Sequence, residues 1–252
     1  MKIGRILDGV QPRLVVIEGD DVYAALGTSI FGPLERGAHL GNVAACTFLP
    51  PTDPTKVVAI GLNYVAHAKE SNSPLPKYPL VFLKPPSSVI GHMQPVIWPP
   101  MSQEVSYESE LGVVIGKKCK NVSKERALDY VLGYSCANDI SARDCQRNDG
   151  QWSRAKGFDT FCPYGPWIET DVNPNALAIS GKLNGETRQD SNTSDLVFNV
   201  EHLIWHVSQI YTLEPGDLLI TGTPAGVGLM KEGDVYEVTL EGIGTLRNPF
   251  LR

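Results

Sequence analysis

The sequence contains no apolar run approaching membrane-spanning length, and its amino terminus, MKIGRILDGV, lacks the apolar stretch of a signal peptide. These absences predict a soluble, cytoplasmic protein with no membrane partner. Positive charge is scarce as well, with 22 Lys and Arg against 28 Asp and Glu for a formal net charge of -6. Neutralising phosphates takes a clustered Lys/Arg surface, which the chain does not have, so nucleic acid is excluded as a partner. Cysteine is sparse. Cys46, Cys119, Cys136, Cys145 and Cys162 are widely spaced and form no C-x-x-C pair, which predicts neither a disulfide framework nor a zinc knuckle and fits a reducing compartment. No G-x-S-x-G elbow occurs, and the glycine-rich GTPAGVG lacks the Gly-Lys-Ser/Thr ending of a phosphate loop. A serine hydrolase and a nucleotide cofactor are thereby set aside.

What remains is a chain of 252 residues, 42% hydrophobic, long enough to bury a full core without disulfides. KIGRILDG, RLVVIEGD and DVYAAL alternate apolar and polar residues between Gly/Asp turns, the pattern of a short antiparallel meander. LPPTDPTK carries three prolines, which places a boundary between a small amino-terminal β domain, residues 1–50, and a main domain, residues 51–252. The main domain is rich in strand-like stretches: KVVAIGLN, LVFLKP, VIWPP, SYESELGVVIG, YVLGYSCANDIS, LAISGKLNG, DLLITGTP and DVYEVTLEGIGTLRNP. Helices are predicted only for Tyr64–Glu70, for SKERALDYV with Ser123 as its N-cap, and for VEHLIWHVSQIY. The fold class is therefore mainly β with some α, an α+β protein.

Glu108 and Glu110 flank one residue in SYESELGVVIG, so on a strand both carboxylates share a face. Like charges placed this way call for a shared proton or a hard divalent cation, although exposed strands also carry E-x-E pairs with no ligand. Asp139 ends the apolar run YVLGYSCAND and offers a third oxygen ligand. His67 and Glu70 lie three apart in NYVAHAKE, one helical face, where a carboxylate can orient an imidazole as a base; a surface histidine with an incidental neighbour reads the same. The Pro/Ser/Asn segment after Glu70 has the composition of a lid. Lys156 in AKGFDTFCPYG can serve a substrate carboxylate or a developing oxyanion, or be a solvated lysine. His202 and His206, four apart, have zinc-like spacing, but Leu203 stands where an H-E-x-x-H site needs glutamate, so they read as packed helix.

The order of seven segments is more specific than any one of them: GLNYVAHAKE, FLKPPSSVIG, YESELGVVIGKK, GYSCANDISARDCQ, AKGFDTFCPYGPW, LNGETRQDSNTSDLVF and LEPGDLLITGTPAGVG. Together they resemble the fumarylacetoacetate hydrolase family over residues 54–249. The resemblance implies a mixed β-roll, commonly a homodimer, with magnesium or manganese on Glu108, Glu110 and Asp139 and calcium as a substitute. It further implies that His67 and Glu70 form a lid dyad, that Gln146 and Lys156 hold substrate oxygens, and that Thr223 contacts the substrate carboxylate. Arg143 and Lys84 fall within matching segments but stay outside the catalytic set, since either can equally support the fold through an ion pair.

The implied substrates are small 2-oxo or diketo acids, handled through an enolate stabilised by the metal, as in the catabolism of aromatic compounds. Carbon–carbon hydrolysis of acylpyruvates such as fumarylpyruvate or acetylpyruvate is the leading expectation, because hydrolysis most needs a strong, oriented base. Oxaloacetate decarboxylation or tautomerisation and isomerisation of 2-hydroxyhepta-2,4-diene-1,7-dioate are the alternatives. A 2-oxo acid binding protein without turnover is the reading from outside enzymology.

Overall fold

The computed structural model describes residues 1–252. The alternating amino-terminal sequence forms an antiparallel meander of β1 (Lys2–Asp8), β2 (Gln11–Glu18), β3 (Asp21–Leu26) and β4 (Glu35–Asn42). After the prolines, the β-branched run VVAIG becomes β5 (Val57–Gly61), followed by α1 (Val65–Glu70) and β6 (Leu80–Lys84). Next come β7 (Ser109–Ile115), β8 (Val131–Asn138), the short α2 (Arg143–Asp149) and α3 (Ser153–Gly157), and β9 (Cys162–Glu169). The chain ends with β10 (Ala178–Leu183), β11 (Glu186–Asn192), α4 (Val200–Ile210), β12 (Leu218–Ile220), β13 (Val235–Leu240) and β14 (Gly244–Leu251).

The strands form a mixed β-roll, as the family resemblance implies, with the few helices that the sequence pattern predicts. One large sheet runs β4-β3-β2-β1-β9-β8-β7-β12-β5-β6, with the two-residue strands Phe48–Leu49 and Val89–Ile90 added on β1 and β9. A second sheet runs β11-β10-β13-β14 and ends on Val96–Ile97. The meander has its own small apolar cluster of Ile6, Val15, Ile17, Val22 and Phe48. Its β1 is nevertheless hydrogen-bonded to β9 of the main unit, with Lys2 opposite Glu169 and Ile3 opposite Ile168. Backbone pairing thus continues from one side of the proline-rich stretch to the other.

Two local expectations need correction. SKERALDYV forms 3-10 turns over Lys124–Tyr130 instead of an α-helix, and Ser123 makes no capping hydrogen bond there. Seven residues with one buried position, Ala127, present no apolar stripe that would hold a longer α-helix against the core. By contrast α4 buries Val200, Leu203, Ile204 and Val207 along one stripe, and Asn199 caps it by accepting from the His202 N–H at 3.1 Å. No helix is long and apolar enough to cross a membrane.

Candidate active site

Antiparallel pairing of β7 with β8 builds the floor of the site. Their register sets Ser109 opposite Asn138 and Glu110 opposite Ala137, so Glu108 and Asp139 face each other one step beyond the strand end. The Asp139 N–H donates to the Glu108 carbonyl at 3.0 Å, and the Asn138 side chain accepts from the Glu108 N–H at 2.9 Å. The period-two spacing then turns Glu110 to the same face. One oxygen from each of Glu108, Glu110 and Asp139 falls within 4.8 Å of the others. All three residues are buried, at 5%, 1% and 1% exposure.

Buried carboxylates need partners, and cations reach two of the three. Lys156 Nζ, delivered by α3, lies 2.7 Å from both Glu108 Oε2 and Asp139 Oδ2. Lys84 Nζ, at the end of β6, is 2.5 Å from Asp139 Oδ1. Arg143, at the start of α2, pairs with Glu108 and also donates to Gln146 Oε1 at 2.8 Å and to Ser106 Oγ at 2.7 Å. Burial presses the Glu108 carboxyl upward, but Lys156 and Arg143 outweigh it and hold the group down at about 2. Burial lowers the Lys156 ammonium, and the carboxylates of Asp139 and Glu108 more than reverse this.

Glu110 differs from both. Its carboxylate accepts one hydrogen bond, from the Gly222 N–H at 2.7 Å, and has no cation at hydrogen-bond distance. Burial, then Asp139, then Glu108 push its pKa well above the ordinary range. A hard divalent cation drawing one oxygen from each residue would relieve this crowding, so the donor set fits the metal that the family resemblance implies.

The wall above the floor is α1. His67 Nδ1 lies 3.2 Å from Glu70 Oε2, and both Glu70 oxygens accept from the Gly226 N–H, at 3.1 and 3.2 Å. Gly226 sits at φ +98°, and a Cβ there would come within 2.0 Å of the Arg188 carbonyl oxygen, so only glycine supplies this N–H. With the carboxylate on Nδ1, the other imidazole nitrogen, Nε2, is the one without a protein partner. His67, Glu108, Glu110, Asp139, Gln146, Lys156 and Thr223 all line one cavity of about 270 Å³. Glu70 stands behind His67, outside the lining.

Phe82, Trp152, Ser71, Ser73 and Arg143 complete much of the remaining wall. Trp152 packs edge-on to Phe82, with ring centroids 5.2 Å apart, and presses so closely on Gly61 that a Cβ there would lie 2.5 Å from its ring. Nothing in the sequence pattern singles out Phe82 or Trp152, since an apolar side chain carries no chemical signature until the fold places it. Arg143 and Lys84 form ion pairs with floor carboxylates, the fold-supporting role that the sequence leaves open for them. Lys84 is 1% exposed, although lysine is ordinarily a surface residue and nothing in LVFLKP marks this one as buried. His202 and His206 lie on α4 among Phe198 and Trp205, and neither lines the cavity.

Residues 56–251 match the fumarylacetoacetate (FAA) hydrolase C-terminal family, and the chain belongs to that family. Oxaloacetate tautomerase FAHD2A, mitochondrial, of Homo sapiens is 47% identical over 215 residues, covering 80% of this chain and 68% of that protein. The crystal structure of 2-hydroxyhepta-2,4-diene-1,7-dioate isomerase from Mycobacterium marinum superposes with a TM-score of 0.92 at 41% identity, covering 100% of this chain and 98% of that one. Fumarylacetoacetate hydrolase from Exiguobacterium antarcticum gives a TM-score of 0.91 at 32% identity, over 100% and 99% of the two chains. The protein is thus an enzyme of a family whose relatives act on small molecules, several of them named as tautomerases or isomerases.

Proposed function

We propose that this enzyme moves a proton at carbon three of a short 2-oxo acid, interconverting its enol and keto forms, with an oxaloacetate-like diacid as the substrate type. The observation that carries this reading is His67, paired with a Glu70 anchored on the Gly226 N–H and lining the same cavity as three buried carboxylates. Glu108, Glu110 and Asp139 would hold magnesium or manganese, which would supply Lewis-acid stabilisation of the negative charge that develops on a 2-oxo acid.

The chain's own groups account for the rest. Glu70 holds the proton on His67 Nδ1, which leaves Nε2 free to take a proton from carbon three or return one to it. In the enol-to-keto direction carbon three gains a proton while the hydroxyl on carbon two loses one, so composition is unchanged. Because Gln146 Oε1 is taken by Arg143, its amide N–H groups are left to donate to a substrate oxygen. Lys156 supplies positive charge where negative charge develops. Thr223, within the glycine-rich loop, meets the substrate carboxylate. A cavity of about 270 Å³ matches a small diacid better than a long acyl chain.

Acylpyruvate hydrolysis is the second reading, supported by the same dyad, which is equally suited to orienting an attacking water, and by the likeness to a fumarylacetoacetate hydrolase at 32% identity. The names borne by relatives at 41% and 47% identity favour proton transfer instead.

One panel separates the readings: enol-oxaloacetate tautomerisation, oxaloacetate decarboxylation, and cleavage of fumarylpyruvate and acetylpyruvate, each with magnesium or manganese. Tautomerisation is expected to dominate and to fall roughly 10²- to 10⁴-fold in His67→Asn. Cleavage without tautomerisation would establish the hydrolase in its place. Binding of 2-oxo acids with no turnover would leave a binding protein.

A further inference from the structure

We infer that Gln189 is a positioning residue that occupies the inner lone pair of the Thr223 hydroxyl and so keeps its proton free to be donated to the substrate carboxylate. The inference rests on the reading of Thr223 given above and adds the device that orients it.

Gln189 lies on β11 and is completely buried, at 0% exposure. Its Oε1 lies 2.8 Å from the Ser109 N–H, a group that can only donate, and the amide orientation follows from that contact. Tyr236 Oη donates to the same oxygen at 2.8 Å. Since a phenol has one proton, Ser109 Oγ must donate to Tyr236 Oη, at 2.9 Å, and the direction of the chain is set. Both Nε2 protons are then committed, one to the Pro224 carbonyl at 2.7 Å and one to Thr223 Oγ1 at 2.9 Å. Thr223 Oγ1 is therefore an acceptor on its inner side.

The hydroxyl proton of Thr223 makes no hydrogen bond within the protein, and the residue lines the active-site cavity. A threonine free to rotate can present either a lone pair or a proton to a ligand. In this one Gln189 occupies the inner lone pair, so the proton cannot turn inward to a protein acceptor and stays available to an incoming oxygen such as that of a carboxylate. The same loop carries the Gly226 N–H that holds Glu70, and the Gly226 carbonyl accepts from Tyr107 Oη at 3.1 Å. Tyr107 stacks on Tyr236 with ring centroids 4.0 Å apart. Gln189 and this aromatic pair accordingly brace both the carboxylate contact and the support of the dyad.

Calorimetric titration of oxalate into the magnesium-loaded protein tests the inference, because oxalate presents carboxylate oxygens but undergoes no proton transfer at carbon. Thr223→Val is expected to weaken oxalate roughly tenfold, with Thr223→Ser restoring most of the loss. Gln189→Met is expected to show a similar loss, and the double variant Gln189→Met/Thr223→Val no more than Thr223→Val alone. Magnesium affinity, measured without oxalate, should stay at the wild-type value in all of them. Additive losses in the double variant would make Gln189 a general packing residue and overturn the inference. Unchanged oxalate affinity in Thr223→Val would overturn it whatever the Gln189 variants do. Should Gln189→Met not fold, Gln189→Glu serves, because its acceptor-only carboxylate draws the Thr223 proton inward and oxalate affinity must fall. A wild-type protein that binds magnesium but no oxalate would sink the functional reading together with this inference, whereas bound oxalate indifferent to every variant sinks this inference alone.

Discussion

The floor and the wall of the cavity achieve rigidity by opposite means. The floor carries three carboxylates and three cations on strand ends and short helices, nearly all of it buried, and ion pairs hold it. The wall is a six-residue helix whose His67–Glu70 pair is much more open, with side-chain exposures of 16% for His67 and 44% for Glu70, held by one neutral backbone donor, the Gly226 N–H. Inside a protein an unpaired charge is costly, so floor residues cannot be altered singly without stranding a partner. At the wall, water screens such losses, and geometry is what a substitution destroys. Stability and metal affinity should therefore report on the floor, and turnover on the wall.

The sharpest division lies within the floor itself. Glu108→Gln removes the partner of Arg143 and half of the pairing of Lys156, and should lower the stability of the metal-free protein by on the order of 3 kcal/mol. Glu110→Gln removes a carboxylate that no cation meets, and should raise the melting temperature of the metal-free protein. Both should weaken magnesium by more than the roughly 10–100-fold that outer-shell partners command. Differential scanning calorimetry with and without magnesium separates the two variants, and a destabilised Glu110→Gln would show that the three carboxylates act as one unit.

A smaller effect is expected where the wall alone is broken. Gly226→Ala forces a side chain against the Arg188 carbonyl and shifts the N–H that holds Glu70, a strain of about 1–3 kcal/mol. Turnover should fall on the order of 10²-fold through misplacement of the base, while magnesium affinity stays at the wild-type value. Loss of magnesium affinity in this variant would erase the distinction between floor and wall.

The same contrast explains what the sequence discloses. Glu108, Glu110 and Asp139 are readable because strand periodicity and a polar stop after an apolar run are local signals, and pairing of β7 with β8 converts them directly into a cluster. The i,i+3 spacing makes His67–Glu70 readable in the same way. The Gly226 contact joins residues 156 positions apart, and no local pattern foretells it. Gln189 is harder still: it is the one inward residue of the polar strand ETRQDSN, and its partners, the Ser109 N–H, the Thr223 hydroxyl and the Tyr236 phenol, come from three other segments. The strand-rich class follows from composition and turns, whereas the pairing of β1 with β9 depends on contacts that the proline-rich stretch conceals.

The smallest effect is expected furthest from the cavity. His202 and His206 have the spacing of a metal pair, but the His202 ring packs against Phe198 and Trp205, with centroids 4.9 and 5.1 Å away, and no third ligand joins them. Burial, then Lys124, then His206 keep the His202 imidazole below its ordinary pKa, so the pair tends toward neutral rings packed with aromatics. Replacing both by glutamine should change stability by no more than about 0.5 kcal/mol and leave the number of bound divalent ions per chain unaltered. A metal equivalent that disappears in this double variant, but survives Glu110→Gln, would place a second cation on α4 and end the claim that the carboxylate floor is where this fold concentrates its charge chemistry.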